Sequence, residues 1–267
     1  MADGTVHGQP AHRHRGSLRI ARIAGIDILV HWSFLILPAL IALGGTSASA
    51  VGWGMVWIGA IFGSVVAHEL AHSLVARRHG VVVLDILLLP IGGLSQMSEI
   101  PEDPGTELAI AAAGPLASLG IATAFVVAGL AFHVQLWPPT LFARAWVARL
   151  AWLNVLLGSF NLLPALPMDG GRVLRAGLAR HRSRQEATRI AASIARAVAV
   201  IMILGGIFYD LWLVLIGLFV LLGANAEESI AKRPPRRPPG PPPPLGPPPL
   251  PPWPDTWSTT PWESDRR

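Results

Sequence analysis

The sequence predicts a mainly α-helical membrane protein with about six transmembrane helices and a small β-sheet at the cytoplasmic side of the membrane. Of its 267 residues 52% are hydrophobic and only 14% are charged, whereas a soluble domain carries about 25% charged residues. Apolar segments recur from residue 30 to residue 226, and no polar stretch between them is long enough to fold alone. We therefore expect one membrane domain at 17–228, between disordered segments at 1–16 and 229–267.

Six stretches are candidates for the spans, because a helix needs about 20 mainly apolar residues to cross the hydrocarbon. They are residues 31–46, 52–76, 107–132, 146–163, 190–206 and 208–224. The last two are expected to form a helical hairpin that is broken at Gly205-Gly206. Two other stretches, 17–30 and 81–97, are rich in aliphatic and β-branched residues and contain turn signals such as Ala24-Gly25. They predict strands of one small sheet.

The positive charges lie before the first span, after the second, between the fourth and fifth, and after the last. An excess of Lys and Arg marks the cytoplasmic side, so both termini are expected in the cytoplasm and the protein in the cell membrane. This pattern explains the net charge of +5 better than nucleic-acid binding does. Residues 1–25 contain no apolar run, so we expect no cleaved signal peptide. Arg149 and Arg196 fall within or near spans and are unexplained by the pattern.

The second span contains the run HELAH, with His68 and His72 four residues apart. Side chains at this spacing project from one face of a helix, which suits two imidazole ligands of one tetrahedral zinc ion. Glu69 follows the first histidine and is in the position of the general base in this motif. Because the chain has no cysteine, a metal site must use His, Asp or Glu. The alternative is a polar patch near the membrane interface, since Arg77 and Arg78 follow closely.

A third zinc ligand is expected from the run NLLPALPMDGGR at residues 161–172, which follows the fourth span. Asp169 is an acid in an otherwise apolar stretch. The two prolines of this run prevent a regular helix, and its two glycines allow close approach of the backbone. The predicted topology places the ends of spans two and four on the same side of the membrane. As an alternative, Asp169 could cap a polar helix at 172–181.

Taken together, the two runs resemble the site-2 protease family of intramembrane zinc metalloproteases, in its six-span bacterial and archaeal branch. Four shorter runs also fit that family: GIDILVHW at 25–32, RHG at 78–80, LPIGGL at 89–94 and AGP at 113–115. The resemblance covers about residues 17–226. The chain differs in having Met168 where the family commonly has leucine, and it shows no recognisable PDZ or CBS domain.

The resemblance implies one Zn²⁺ per chain, with His68, His72 and Asp169 as ligands and Glu69 as catalytic base. It also implies cleavage of a transmembrane protein substrate within the lipid bilayer. That substrate could be a membrane-tethered transcription regulator such as an anti-sigma factor.

Further site residues are expected on weaker grounds. The resemblance implies that Asn161, and less surely Asn154, line the site and steady the oxyanion with a side-chain amide. For each asparagine the alternative is a hydrogen bond between helices. The sheet around Gly92 and Gly93 could offer an edge to which an extended substrate adds a strand.

Two other functions remain open at this point. A cation transporter could use the same ligands, but the outer half of span two, residues 52–65, has no histidine or charged residue. An inactive membrane scaffold is disfavoured because the motif is complete. The proline-rich run at 234–254 predicts a polyproline II segment. It is either a solvated tail or a docking site for a proline-recognising partner.

Overall fold

The computed structural model describes residues 16–90, 92–98, 103–137 and 145–231. In these ranges the chain forms four strands, a 3₁₀ turn and seven helices. They are β1 Ser17–Ile23, β2 Ile26–His31, the 3₁₀ turn Trp32–Leu35, α1 Ile36–Gly44, α2 Ala48–Arg78, β3 Val83–Leu89, β4 Gly92–Met97, α3 Pro104–Ala131, α4 Trp146–Asn161, α5 Asp169–Ala179, α6 Arg184–Tyr209 and α7 Leu211–Ala231. The predicted fold class is confirmed. The tails predicted to be disordered lie almost entirely outside the described residues, and α7 extends past the predicted boundary at 228.

Four helices, α2, α3, α6 and α7, are long and apolar enough to cross a membrane. The helices in the first and fourth predicted spans are shorter, with 9 residues in α1 and 16 in α4. At 1.5 Å per residue α4 is about 24 Å long, less than the hydrocarbon thickness of about 30 Å. The count of six spans therefore stays a prediction.

The first predicted span, 31–46, holds the 3₁₀ turn and α1, which continue directly from strand β2. At one end, the Arg77 guanidinium of α2 donates to the carbonyl of Ala24, in the turn before β2. At the other end, Gly54 of α2 lies against the Ile41 side chain of α1. Those two α2 positions are about 35 Å apart along the helix. Strand β2, the 3₁₀ turn and α1 thus run antiparallel to α2 over a length comparable to the membrane thickness.

The strands form one sheet, as predicted, and their order in it is β1-β2-β3-β4. Pairing is antiparallel for β1 with β2 and for β3 with β4, and parallel for β2 with β3. Ala24 and Gly25 both have positive φ, 51° and 80°, as the two-residue turn of a tight hairpin requires. The inner face packs against α2 through Ile26, Ile28, Ile86, Leu88 and Phe62. The sheet therefore lies lengthwise along α2, with β4 at one edge.

Three of the long helices begin at a side chain that accepts a hydrogen bond from the backbone amide three residues further on. The pairs are Ser47 with Ala50, Asp103 with Thr106, and Ser183 with Glu186. Such caps satisfy amides that have no partner within the helix. The Thr106 amide also lowers the pKa of the exposed Asp103 carboxyl.

The predicted break at Gly205-Gly206 is wrong, because α6 continues through both glycines to Tyr209. The turn is at Asp210, whose carboxylate accepts a hydrogen bond of 3.0 Å from the Trp212 amide. Gly206 instead permits close packing, since a Cβ there would lie 2.6 Å from the Val214 amide nitrogen of α7. Small residues serve this purpose between membrane helices.

The two arginines that the sequence left unexplained have partners. The Arg149 guanidinium carbon lies 5.8 Å from the ring centre of Trp57 and 5.3 Å from that of Trp146, a cation–π arrangement. Arg196 of α6 forms an ion pair with Glu228 of α7. Each arginine therefore joins two helices.

Candidate metal centre

Three predicted ligands meet at one point. The Nε2 atoms of His68 and His72 are 3.2 Å apart. Asp169 Oδ2 lies 3.2 Å from the first nitrogen and 3.1 Å from the second. These three atoms form a nearly equilateral triangle, and a point near its centre lies about 2 Å from each of them. Zinc has bonds of that length to His nitrogen and carboxylate oxygen. Two histidines and a carboxylate leave a fourth tetrahedral position for water or substrate, so the donor set fits one catalytic zinc ion.

Asp169 faces the imidazoles although it is also the first residue of α5. The cap position belongs to Met168, which makes no side-chain capping bond. The capping alternative for Asp169 is therefore not what its carboxylate does in this structure.

The chain before α5 folds tightly back onto the start of that helix. A Cβ on Gly170 would overlap the carbonyl oxygens of Leu162 and Leu163. A Cβ on Gly171 would overlap the Leu166 amide nitrogen. The two glycines thus allow the loop to bring Asp169 against α2, as their predicted role of close approach required.

Helix α3 fixes the outer nitrogens of both histidines. Ser118 Oγ is 3.0 Å from His68 Nδ1, and the Ile110 carbonyl oxygen accepts from His72 Nδ1 at 2.6 Å. A hydrogen on Nδ1 leaves the Nε2 lone pair free for a metal, and such outer partners orient the ring. Sequence reasoning missed Ser118, although a buried serine in an apolar span is a signal worth weighing.

Gly114 of α3 borders the ligand atoms directly. A Cβ at this position would lie 2.7 Å from His68 Nε2 and closer still to His72 Nε2. The space that a metal ion and its open coordination position need is therefore kept clear by the absence of a side chain. In the sequence this glycine stood out only as part of the AGP run.

The predicted base, Glu69, is in contact with strand β4. Its Oε2 atom accepts a hydrogen bond of 2.7 Å from Ser95 Oγ, and Ser73 Oγ donates to Ser95 Oγ at 3.3 Å. A Cβ on Gly93 would lie 2.7 Å from Glu69 Cγ. Gly93 is thus beside the base, whereas Gly92, with φ of 145°, has open space around it. Neither Ser73 nor Ser95 could be assigned a role from the sequence alone.

The two asparagines make other contacts. The buried Asn154 amide donates to Ser64 Oγ of α2 at 3.1 Å and to the Leu150 carbonyl at 2.9 Å. The half-buried Asn161 amide donates to the Leu157 carbonyl of its own helix at 2.9 Å. Asn154 thus makes the bond between helices that was its alternative, and the oxyanion roles of both residues stay predictions.

These features define a class. Two histidines and a glutamate next to the first of them lie on α2, a helix that can cross a membrane, and the aspartate that completes the zinc-type triangle is supplied by α5. Metallohydrolases use this combination, in which the metal activates water and the glutamate moves its proton.

The chain belongs to peptidase family M50, whose model matches residues 56–142 and 140–205. It is 39% identical over 218 residues to the zinc metalloprotease MJ0392 of Methanocaldococcus jannaschii, which covers 81% of this chain and 62% of that protein. It is 36% identical over 236 residues to Rip3 of Mycobacterium tuberculosis, covering 80% and 59%. The solved site-2 protease from Methanocaldococcus jannaschii aligns with a TM-score of 0.57 and 38% identity, over 79% of this chain and 95% of that one.

The family predicted from the motifs is thereby confirmed, and with four long apolar helices among its described residues the chain is a multi-pass membrane protein. The chain spans about 60% of the length of the curated relatives it matches.

Proposed function

We propose that this protein is an intramembrane zinc metalloprotease that hydrolyses a peptide bond within or near a transmembrane segment of another membrane protein. The observation that carries the proposal is the ligand triangle on α2 and α5, with Glu69 adjacent on the same helix. Family membership supports it, because relatives at 36–39% identity include a zinc metalloprotease.

Each residue of the site has a task in such a reaction. Bound zinc would act as a Lewis acid toward the peptide carbonyl and would acidify water. Glu69 takes the proton from the attacking water and later passes it to the leaving amine. Ser95 holds the carboxylate of Glu69 through its hydroxyl. We assign to Asn161 the donation of an amide hydrogen to the oxyanion.

The depth of the site suggests the side from which water enters. His72 lies six residues before Arg78, about 9 Å along α2. The arginine pair that ends this helix fits the cytoplasmic interface of the cell membrane, with both termini on that side. The site would then lie inside the hydrocarbon but close enough to the cytoplasm for water to reach it.

A single substitution tests the activity. Glu69→Gln removes the base and retains all three ligands, so we expect zinc content to stay near that of the wild type. Cleavage is expected to fall by about 10²–10⁴-fold, the usual contribution of general base catalysis. Quantitative proteomics of membranes from cells expressing either form should show intact substrates accumulating with the variant. With the wild type, soluble fragments should appear in the cytoplasmic fraction.

A matched control is Glu186→Gln, which makes the same chemical change at a half-exposed residue paired with Arg182. It should leave the membrane proteome unchanged. Identical proteomes for the wild type and Glu69→Gln, with zinc bound to both, would reject the protease. Fragments released only on the outer side would reject the proposed orientation.

We also infer that the substrate adds to the sheet as a strand at β4. This strand is at one edge of the sheet, and Gly93 and Ser95 on its inner face touch Glu69. Helical amides are shielded by their own hydrogen bonds, so the scissile segment must unwind before attack. An edge strand offers the exposed amides and carbonyls with which an unwound segment can pair.

Cysteine cross-linking can test this pairing, because the chain has no native cysteine. Leu94→Cys places a thiol on the half-exposed side chain between the two residues that touch Glu69. In a Glu69→Gln background it should form disulfides with single-cysteine substrates at every second position, the period of a strand. Cross-linking every third or fourth position would show a helical substrate and contradict strand addition.

The identity of the substrate is a separate proposal. A membrane-tethered transcription regulator, such as an anti-sigma factor, fits a protease that releases fragments to the cytoplasm, and intact regulators should be among the proteins that accumulate with Glu69→Gln. Residues 234–254, predicted to be either a solvated tail or a docking site for a proline-recognising partner, lie outside the described residues.

A further inference from the structure

Arg175 lies on the helix that supplies the aspartate ligand, and its charge is buried. We propose that Arg175 is a positioning residue, whose ion pair with Glu107 holds α5 so that Asp169 meets the two histidines. This inference rests on the metal centre of the proposed function. The sequence pattern counted Arg175 among the positive charges that set orientation, but its side chain is only 9% exposed.

Arg175 of α5 donates hydrogen bonds to acidic residues on two other helices. Its Nε donates to Glu107 Oε1 at 2.8 Å, and its Nη2 donates to the same oxygen. Its Nη1 donates to Glu227 Oε2 of α7 at 3.0 Å. Glu107, on α3, is 1% exposed. A planar guanidinium with several fixed donors sets direction as well as distance, so it constrains how α5 sits on its neighbours.

Helix α3 is the element to which both halves of the metal centre attach. On successive turns it carries Glu107, the Ile110 carbonyl that holds His72, Gly114 beside both Nε2 atoms, and Ser118 that holds His68. Residues at this spacing share one face of a helix. The described part of α5 packs mainly against α3 and α6, and far less against α2. The position of Asp169 relative to the histidines is therefore set largely through α3.

A buried ion pair is weak evidence for stability, because removing two charges from water costs about as much as their attraction returns. A role in geometry accounts better for this pair. It joins α5 to α3 two helical turns before Gly114 and six residues after Asp169. A small rotation or slide of α5 would move Asp169 Oδ2 away from a triangle whose sides are 3.1–3.2 Å.

The test measures the metal and not proteolysis. Arg175→Met and Arg175→Lys would be purified in detergent, and zinc affinity measured by competition with a chelator. Each protein would also be loaded with Co²⁺, whose visible absorption reports the coordination geometry. We expect zinc affinity to fall by about 10-fold in Arg175→Met, the lower end of the effect of losing a direct outer partner of a metal ligand, because Arg175 acts on Asp169 only through α5. The Co²⁺ bands should weaken as the carboxylate is lost from the four-coordinate site.

Arg175→Lys keeps the positive charge but loses the planar set of guanidinium donors. It should therefore fold readily and show a smaller loss of zinc affinity than Arg175→Met. The matched control is Arg196→Met, which breaks the ion pair with Glu228 between α6 and α7. Its loss should lower thermal stability without changing the Co²⁺ spectrum. Wild-type affinity and spectrum in both Arg175 variants would overturn the proposal and leave the metal centre itself intact. If Asp169→Ala also retained wild-type zinc affinity, the metal centre and hence the proposed function would fail instead.

Discussion

Gly114→Ala should weaken zinc binding strongly although all three proposed ligands remain in the chain. The added methyl group would lie 2.7 Å from His68 Nε2 and closer to His72 Nε2, within the space that the metal needs. To avoid this overlap, α3 would have to move or both imidazoles would have to rotate. Their Nδ1 atoms are held by hydrogen bonds to Ser118 and to the Ile110 carbonyl. We expect affinity to fall by at least about 100-fold, the upper range for changes next to a ligand. Metal analysis of the purified protein gives the zinc per chain.

Gly120→Ala is the matched control for this change. It lies on the same helix, and a Cβ there would meet no atom within 4 Å. Alanine at an open helical position should bind zinc as the wild type does and gain slightly in stability. Zinc at one per chain in Gly114→Ala would show that α3 is further from the ligands than the structure places it.

Asp169→Ala should reduce bound zinc from about one per chain to a small fraction. It removes one of the three proposed protein ligands and the only negative charge among them. Two neutral imidazoles alone form an incomplete site, since catalytic zinc centres use three protein ligands. We expect affinity to fall by roughly 100-fold or more, because metal affinity depends steeply on the number of ligands. Chelator competition measures this fall.

Asp210→Ala separates loss of a ligand from loss of an acid at the start of a helix. Asp210 also precedes a helix, but its carboxylate accepts from the Trp212 amide. Its replacement should cost about 0.5–2 kcal/mol of stability, the usual cost of losing a cap, and leave zinc at the wild-type level. Equal zinc in Asp169→Ala and the wild type would show that Asp169 is not a ligand.

The residues proposed as ligands and as base could be selected from the sequence because the information that marks them is local. The spacing of His68 and His72 fixes their relative direction on a helix before any tertiary structure is known. The hairpin at Ala24-Gly25 was predictable for a similar reason, since glycine, here Gly25, is among the few residues that suit a tight two-residue turn. Asp169 could be proposed because an acid in an apolar, proline-interrupted stretch needs an explanation.

The partners of these residues could not be predicted, because they depend on how helices pack. Ser118 lies 50 residues from His68, and Ser95 lies 26 residues from Glu69, so no local spacing links either pair. Gly206 was interpreted as a break because glycine is unfavourable inside helices in water, but its real use is close packing with α7. Arg175 was assigned by its charge, and only burial shows that it faces other helices.

The contact between β4 and Glu69 has a consequence for inhibitors. A peptide paired with β4 would lie about 4.8 Å from that strand, with its reactive bond opposite the stretch from Gly93 to Ser95. An extended peptide mimic with a zinc-chelating group at that point would be held twice, by the strand's backbone and by the metal. The inhibitor's side chains on either side of the chelating group would face the half-exposed Leu94 and the sheet, not the zinc. Its selectivity over soluble zinc peptidases would then come from those side chains.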